Sequence, residues 1–196
     1  TPMTELTTEL TDARNVLLSA PSMSGGETEA CTDLLHPVDG DDVNVLWVSY
    51  RRDPATCLEQ WAGGDGSRPR NATVLAVGES LGPVDVEGVT VQTVSSPSDL
   101  TGLGIEIGET LSAWDGELAV CFDSLTALLQ YVDVETVYEF LHTITGQLYA
   151  ADATAHFHID PTAHDDQTVS SITSLFDAVV SVEGGERQIR QRQLLE

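Results

Sequence analysis

Residues 15–28 read NVLLSAPSMSGGET, and this stretch decides the class of fold. Residues 15–20 form an apolar run of strand length, Pro21 to Gly26 supply a glycine-rich turn, and the chain onward to Leu35 has helical spacing. A strand, a glycine turn and a helix in direct succession predict the first unit of an α/β sheet.

The rest of the chain repeats that alternation. Residues 43–50 (VNVLWVSY) predict a second buried strand, and Pro54 opens a short helix through Trp61. After a Gly/Arg loop over 63–70, residues 72–77 and 89–94 predict two more strands. Ser98 is placed to cap a helix whose Leu100, Leu103, Ile107, Leu111 and Trp114 share one face. Residues 118–122 (LAVCF) predict the most buried strand, ending in Asp123-Ser124. Asp133 then caps a long helix with Val134, Val137, Leu141, Ile144 and Leu148 on its inner face. A strand over 153–159, a helix over 167–176 and a strand over 178–182 follow. Residues 187–192 (RQIRQR) return beside that last strand through a turn at Gly184-Gly185. The expected fold is α/β: a mostly parallel central sheet with helices on both faces, closing in an antiparallel C-terminal hairpin. A flexible segment over 1–12 precedes one domain over 13–196, and no internal repeat is visible.

Composition bounds the partners. The 196 residues include thirty-two Asp and Glu against eight basic residues, all of them arginine, for a formal charge of −24. A hydrophobic fraction of 41% is ordinary for a globular chain, so the charge is a surface property rather than a sign of disorder. Molar salt shortens the Debye length to about 3 Å and quenches the self-repulsion of such a surface. The composition resembles that of proteins from salt-in halophilic archaea. Nonspecific binding to nucleic acid or anionic lipid, which needs cationic side chains, is disfavoured.

Cys31, Cys57 and Cys121 are odd in number, far apart in sequence and without a CxxC pair, which fits a reduced interior. The apolar run over 118–132 is broken by Asp123 and too short to span a bilayer. Together these features predict a cytoplasmic protein without a membrane partner.

The order of motifs resembles the RecA/KaiC branch of the P-loop NTPases over residues 15–192. NVLLSAPSMSGGET stands where that family carries its phosphate loop, LAVCFDSLTALL is similar to its Walker B strand, and FDAVVSVEGGERQIRQR is similar to its closing hairpin. The chain also resembles an uncharacterised haloarchaeal group of RecA/KaiC-like proteins in which the phosphate loop has decayed. The resemblance implies a vestigial nucleotide site at Gly25, Gly26, Thr28 and Asp123, with Asp123 as the surviving magnesium-binding aspartate.

A working loop needs GxxxxGK[ST], with lysine on the phosphates and Ser/Thr on magnesium. Here Pro21 replaces the first glycine and Glu27 replaces the lysine, while Gly26 and Thr28 are kept. Two like charges about 4 Å apart repel by roughly 4 kcal/mol at an effective dielectric near 20, so Glu27 faces phosphate with the wrong sign. Past the second strand, Arg51 and Arg52 stand where the relatives place their catalytic glutamate, and arginine does not act as a general base. Asp53 is the nearest carboxylate, yet it also suits the cap before Pro54.

His156 and His158 alternate along one strand and so share a face, next to the strand ending at Asp123. Asp123, His156 and His158 are therefore candidate ligands for zinc or manganese, with His164, Asp165 and Asp166 following; the plainer reading is two satisfied, packed histidines. Arg187, Arg190 and Arg192 gather three cations on the terminal hairpin and are candidate contacts to a partner protein; the plainer reading is surface pairing with carboxylates.

The expectation from sequence is a catalytically degenerate regulatory or protein-interaction module with no cofactor and no catalytic residues, able to form a homo-oligomer. Two alternatives stay open. One is a nucleotide-binding switch using ATP and magnesium with little hydrolysis. The other is a metal-dependent hydrolase built on His156, His158 and Asp123.

Overall fold

The computed structural model describes residues 10, 13–22, 24–36, 42–62, 68–78 and 86–191. Except for Leu10, the segment expected to be loose over 1–12 lies outside them, as does Arg192. Eight strands are present: β1 (Asn15–Ser19), β2 (Val43–Ser49), β3 (Asn71–Val77), β4 (Thr90–Val94), β5 (Glu117–Asp123), β6 (Thr154–Ile159), β7 (Ala178–Glu183) and β8 (Glu186–Gln191). The α-helices among the described residues are α1 (Glu27–Leu35), α2 (Pro54–Ala62), α3 (Leu100–Ala113), the short α4 (Leu125–Leu128), α5 (Val134–Ala150) and α6 (Asp166–Thr173), with a 3-10 turn over Pro161–Ala163.

The strands form one sheet in the order β4-β3-β2-β5-β6-β1-β7-β8. Every neighbouring pair is parallel except β7 and β8, which close the sheet as an antiparallel hairpin with Val182 opposite Arg187 and Val180 opposite Ile189. Gly184 and Gly185 both take positive φ, 60° and 84°, the combination that a two-residue turn matching strand twist requires.

Strand parity assigns each apolar residue to one of two cores. Leu17, Leu46, Val48, Leu75, Leu118, Val120, Phe122, Ala155, Phe157 and Ile159 pack against Leu103 and Ile107 of α3 and Val137, Leu141 and Leu148 of α5. Their alternate neighbours, including Val16, Leu18, Val45, Trp47, Val74, Ala119, Cys121 and Val180, pack against Ala30, Cys31 and Leu35 of α1 and Cys57 and Trp61 of α2. Both faces of the sheet are thus covered, as its parallel strands require.

The capping residues set the helix starts. Asp133 accepts a hydrogen bond from the Thr136 amide at 2.9 Å and starts α5 where expected. For α3 the cap is Asp99, one residue beyond Ser98, because its carboxylate accepts from the Gly102 amide at 2.9 Å. Asp165 likewise caps α6 through the Thr168 amide, so that helix begins a residue before the expected 167 and ends at Thr173 rather than Phe176.

Candidate functional site

Parallel strands end together, and the carboxyl ends of β2, β5 and β6 bring their last residues to one edge. Ser49 and Asp123 are paired in register across β2 and β5, and the Tyr50 amide donates to the Asp123 carbonyl at 2.7 Å. The chain then folds back on itself: the Arg52 amide donates to Ser49 Oγ at 2.9 Å, and Ser49 Oγ donates to the Arg52 carbonyl at 2.7 Å. This turn delivers two guanidinium groups to one buried carboxylate.

Arg51 Nε donates to Asp123 Oδ1 at 2.7 Å, and Arg52 Nε lies 3.1 Å from Oδ2. The second approach is an ion pair without a well-aimed N–H, so Oδ2 has charge compensation but no directed hydrogen bond. Arg51 also reaches across to Glu27 Oε1 at 3.3 Å. One arginine therefore spans the first residue of α1 and the last residue of β5.

Glu27 follows Gly26, the cap of α1, whose φ of 98° is left-handed. A Cβ at Gly26 would stand 3.0 Å from Val182 Cγ1 and 3.3 Å from Gly185 Cα, so only glycine admits this approach of loop to hairpin. The Gly185 amide donates to the Gly25 carbonyl at 3.2 Å. Thr28 is exposed, and its carbonyl accepts from Thr32 Oγ1 at 3.0 Å. Of the four residues expected for a nucleotide site, the structure thus gathers Gly25 and Gly26 at the hairpin, leaves Thr28 at the surface and engages Asp123 with arginines.

Glu27 has a third partner. His158 Nδ1 donates to Glu27 Oε1 at 2.7 Å, with His158 1% exposed. Burial alone raises the Glu27 pKa, but the hydrogen bond and charge of His158, with Arg51, outweigh it and hold the carboxyl below its usual value. Burial would lower His158, but the neighbouring Cys31 and Asp123 and the bond to Glu27 raise it to about 10.

Behind Glu27 lies a buried set of sulfur and nitrogen atoms. Cys31 is one helical turn beyond Glu27 on α1, and Cys121 and His156 are directly paired across β5 and β6. Cys31 Sγ and Cys121 Sγ are 3.8 Å apart, His156 Nε2 is 3.1 Å from Cys31 Sγ, and His158 Nε2 is 3.4 Å from Cys121 Sγ. All four residues are at most 1% exposed. Burial pushes the Cys31 thiol up, yet the contact with Cys121 and the two imidazoles bring it well below the ordinary thiol range.

The structure groups the candidate metal ligands differently from the expectation. His156 and His158 do share a face, but the compact donor set among the described residues is Cys31, Cys121, His156 and His158, and Asp123 is not in it. The two oxygens of Asp123 face Arg51 and Arg52 instead. Cys31 and Cys121, far apart in sequence, meet because α1 packs on the face of β5 that carries Cys121. His164 stands apart, with Nε2 3.0 Å from Thr126 Oγ1, and Asp165 is a helix cap.

The hairpin arginines divide. Arg187 donates to Asp33 Oδ2 at 2.7 Å and ties β8 to α1, whereas Arg190 is exposed. A cleft of about 370 Å³ opens at the carboxyl edge, lined by Glu27, Tyr50, Arg51, Thr126, His158 and Asp160. The larger groove, about 1390 Å³ between α3 and α5, is lined by none of the candidate site residues. Among the described residues no helix is long and apolar enough to cross a membrane.

Two solved structures share the fold at low identity. One, from a structural study of PH0250 of Pyrococcus horikoshii OT3, is 12% identical with a TM-score of 0.61 and matches over 91% of this chain and 86% of its own. The other, the uncharacterised P. horikoshii protein PH0321 in complex with an unknown peptide, is 14% identical with a TM-score of 0.62, over 97% of this chain and 98% of its own. No curated protein matches the chain. The model of a family of unknown function, DUF7504, matches residues 13–182, and the chain belongs to that family.

Proposed function

We propose that this chain is a RecA/KaiC-like module that has given up ATP hydrolysis and acts through protein contacts, as a regulatory or interaction module in the cytoplasm of a halophilic archaeon. The observation that carries the reading is Arg51, which joins Glu27 and Asp123 across the edge where a phosphate loop would face its magnesium aspartate.

A magnesium-bound triphosphate does not fit these residues in the usual pose. Glu27 presents a carboxylate to the phosphates, and both Asp123 oxygens are compensated by guanidinium groups that a magnesium ion would have to displace. Asp53, the carboxylate just past β2, accepts from the Thr56 amide at 2.8 Å as a helix cap rather than standing free to activate water. A protein-contact role is further supported by PH0321, a neighbour in fold whose structure contains a peptide. Arg190, exposed on β8, is the residue of the hairpin group proposed to meet a partner.

The cleft at the carboxyl edge favours one second reading, since ligands of open α/β sheets bind there. In that reading Arg51 releases its carboxylates and takes an anionic ligand without turnover. Calorimetric titration of ATP with magnesium in molar KCl separates the two. The interaction reading expects no binding heat, and saturable one-site binding that Arg51→Ala abolishes would replace it with the switch.

A further inference from the structure

Buried sulfur and imidazole groups are costly to hold together unless something satisfies them. Here two cysteines and two histidines from three elements converge with their donor atoms within 4.8 Å of one another. A zinc ion with Zn–S near 2.3 Å and Zn–N near 2.05 Å sets tetrahedron edges of about 3.8 Å between sulfurs and about 3.6 Å between sulfur and nitrogen. The observed Sγ–Sγ distance is 3.8 Å, and the two S–N contacts are 3.4 and 3.1 Å. A disulfide would need sulfurs about 2.05 Å apart.

The sulfur separation is that of a tetrahedral edge, and the two shorter S–N contacts would open by a few tenths of an ångström around an ion. His158 offers Nε2 to the cluster, and its other ring nitrogen donates to Glu27. A carboxylate on the far side of a ligating imidazole is the usual device for fixing the ring and its tautomer. The charges also close: two thiolates balance a divalent cation, while Glu27 and Asp123 balance Arg51 and Arg52. Tetrahedral S₂N₂ donors select zinc over magnesium or manganese, which prefer oxygen.

We propose that Cys31, Cys121, His156 and His158 form a closed, structural zinc site that fastens α1 to β5 and β6, with Glu27 as the positioning residue for His158. Four protein ligands, all buried, leave no open position for substrate, so the ion holds the fold rather than performing hydrolysis. His158 and Glu27 also line the cleft at the carboxyl edge, so the ion would lie directly behind that cleft. The site gives Glu27 a reason for its place: a carboxylate there orients a ligand.

The full chain, produced with zinc present and without chelator in molar KCl, is to be assayed for metal by plasma mass spectrometry. One zinc per chain is expected. Exchange for cobalt should give the ligand-field bands of a tetrahedral site together with a thiolate-to-cobalt charge-transfer band. Cys31→Ser and Cys121→Ser should lose that charge-transfer intensity and the bound ion, whereas Cys57→Ser, which alters a buried thiol outside the set, should keep both. Glu27→Gln should retain the spectrum and weaken metal affinity about 10- to 100-fold. Should the cysteine variants fail to fold, the wild-type chain still decides: its melting temperature should fall on chelation and return with zinc. A folded chain that takes up no zinc and melts identically with and without it overturns the proposal. So does a Cys31–Cys121 disulfide in the folded protein, or a cobalt spectrum unchanged in Cys31→Ser.

Discussion

On one side of β6, Ala155, Phe157 and Ile159 sink among apolar side chains from α3 and α5; on the other, His156 and His158 meet Cys31, Cys121 and Glu27. Both sides are equally dry. A central parallel strand covered on both faces would ordinarily be apolar throughout, since every buried imidazole has to be desolvated. The difference shows where this chain spends stability on chemistry. The apolar side holds the sheet by packing, with Phe157 stacked 5.2 Å from Phe122 and edge-on to Phe176 at the same distance. The polar side holds it by directed contacts, each of which fails if its partner is removed.

The largest expected effect breaks the packed side. Phe157→Ala should destabilise the fold by about 3–5 kcal/mol through lost burial and the cavity left between β6 and the helices. Denaturant unfolding in molar KCl measures this, and a loss below about 1 kcal/mol would mean that the side is not a close-packed core.

On the polar side, Asp123→Ala leaves Arg51 and Arg52 facing each other without their carboxylate. A loss of about 3 kcal/mol is expected, because breaking a buried pair strands a charge. Removing Arg52 as well should return part of that loss, so the double variant should be more stable than the sum of the singles predicts. Strict additivity in the same unfolding assay would show that Asp123 and Arg52 are not coupled.

The smallest effect lies outside both sides. Asp133 accepts from the Thr136 amide, which holds its carboxyl below the ordinary value. A carboxyl whose folded pKa is depressed contributes above its unfolded pKa, near 3.9, and its contribution fades as pH falls through the folded value. Asp133→Ala should therefore lower the melting temperature slightly at neutral pH and have less effect in acid. Asp133→Asn, which keeps a capping oxygen, should remove only the pH dependence. An equal effect of Asp133→Ala at pH 7 and pH 3 would contradict the cap.

The alternation of the sheet was legible in the sequence because parity and helical spacing are local. NVLLSAPSMSGGET gave a strand, a turn and a helix, and the His-x-His of β6 placed both imidazoles on one face. The companions of those histidines were not legible. Cys31 lies on a helix and Cys121 on a strand ninety positions away, and only the packing of α1 on β5 joins them. One clue was available: in LAVCF, Cys121 falls on the parity opposite Leu118, Val120 and Phe122, the same side as the histidines. In the sequence Glu27 shows only the absence of a lysine's charge, because its partner His158 arrives 131 positions later. Adjoining strands place Asp123 near the histidines in sequence terms, but the turn after β2 brings two arginines to it first.

Helix α1 carries Glu27 toward His158, Cys31 toward His156 and Asp33 toward Arg187. All three are read off one rigid screw. Adding or deleting a single residue between Glu27 and Cys31 would rotate everything beyond that point by about 100° and move it by about 1.5 Å, withdrawing Cys31 and Asp33 together while Glu27 stays in place. Such a frame tolerates exchange of side chains one at a time but not a change of length. Insertions and deletions compatible with this fold must therefore fall before Gly25 or after Leu35, and the nine residues of α1 mark a stretch whose length is fixed by its three separate attachments.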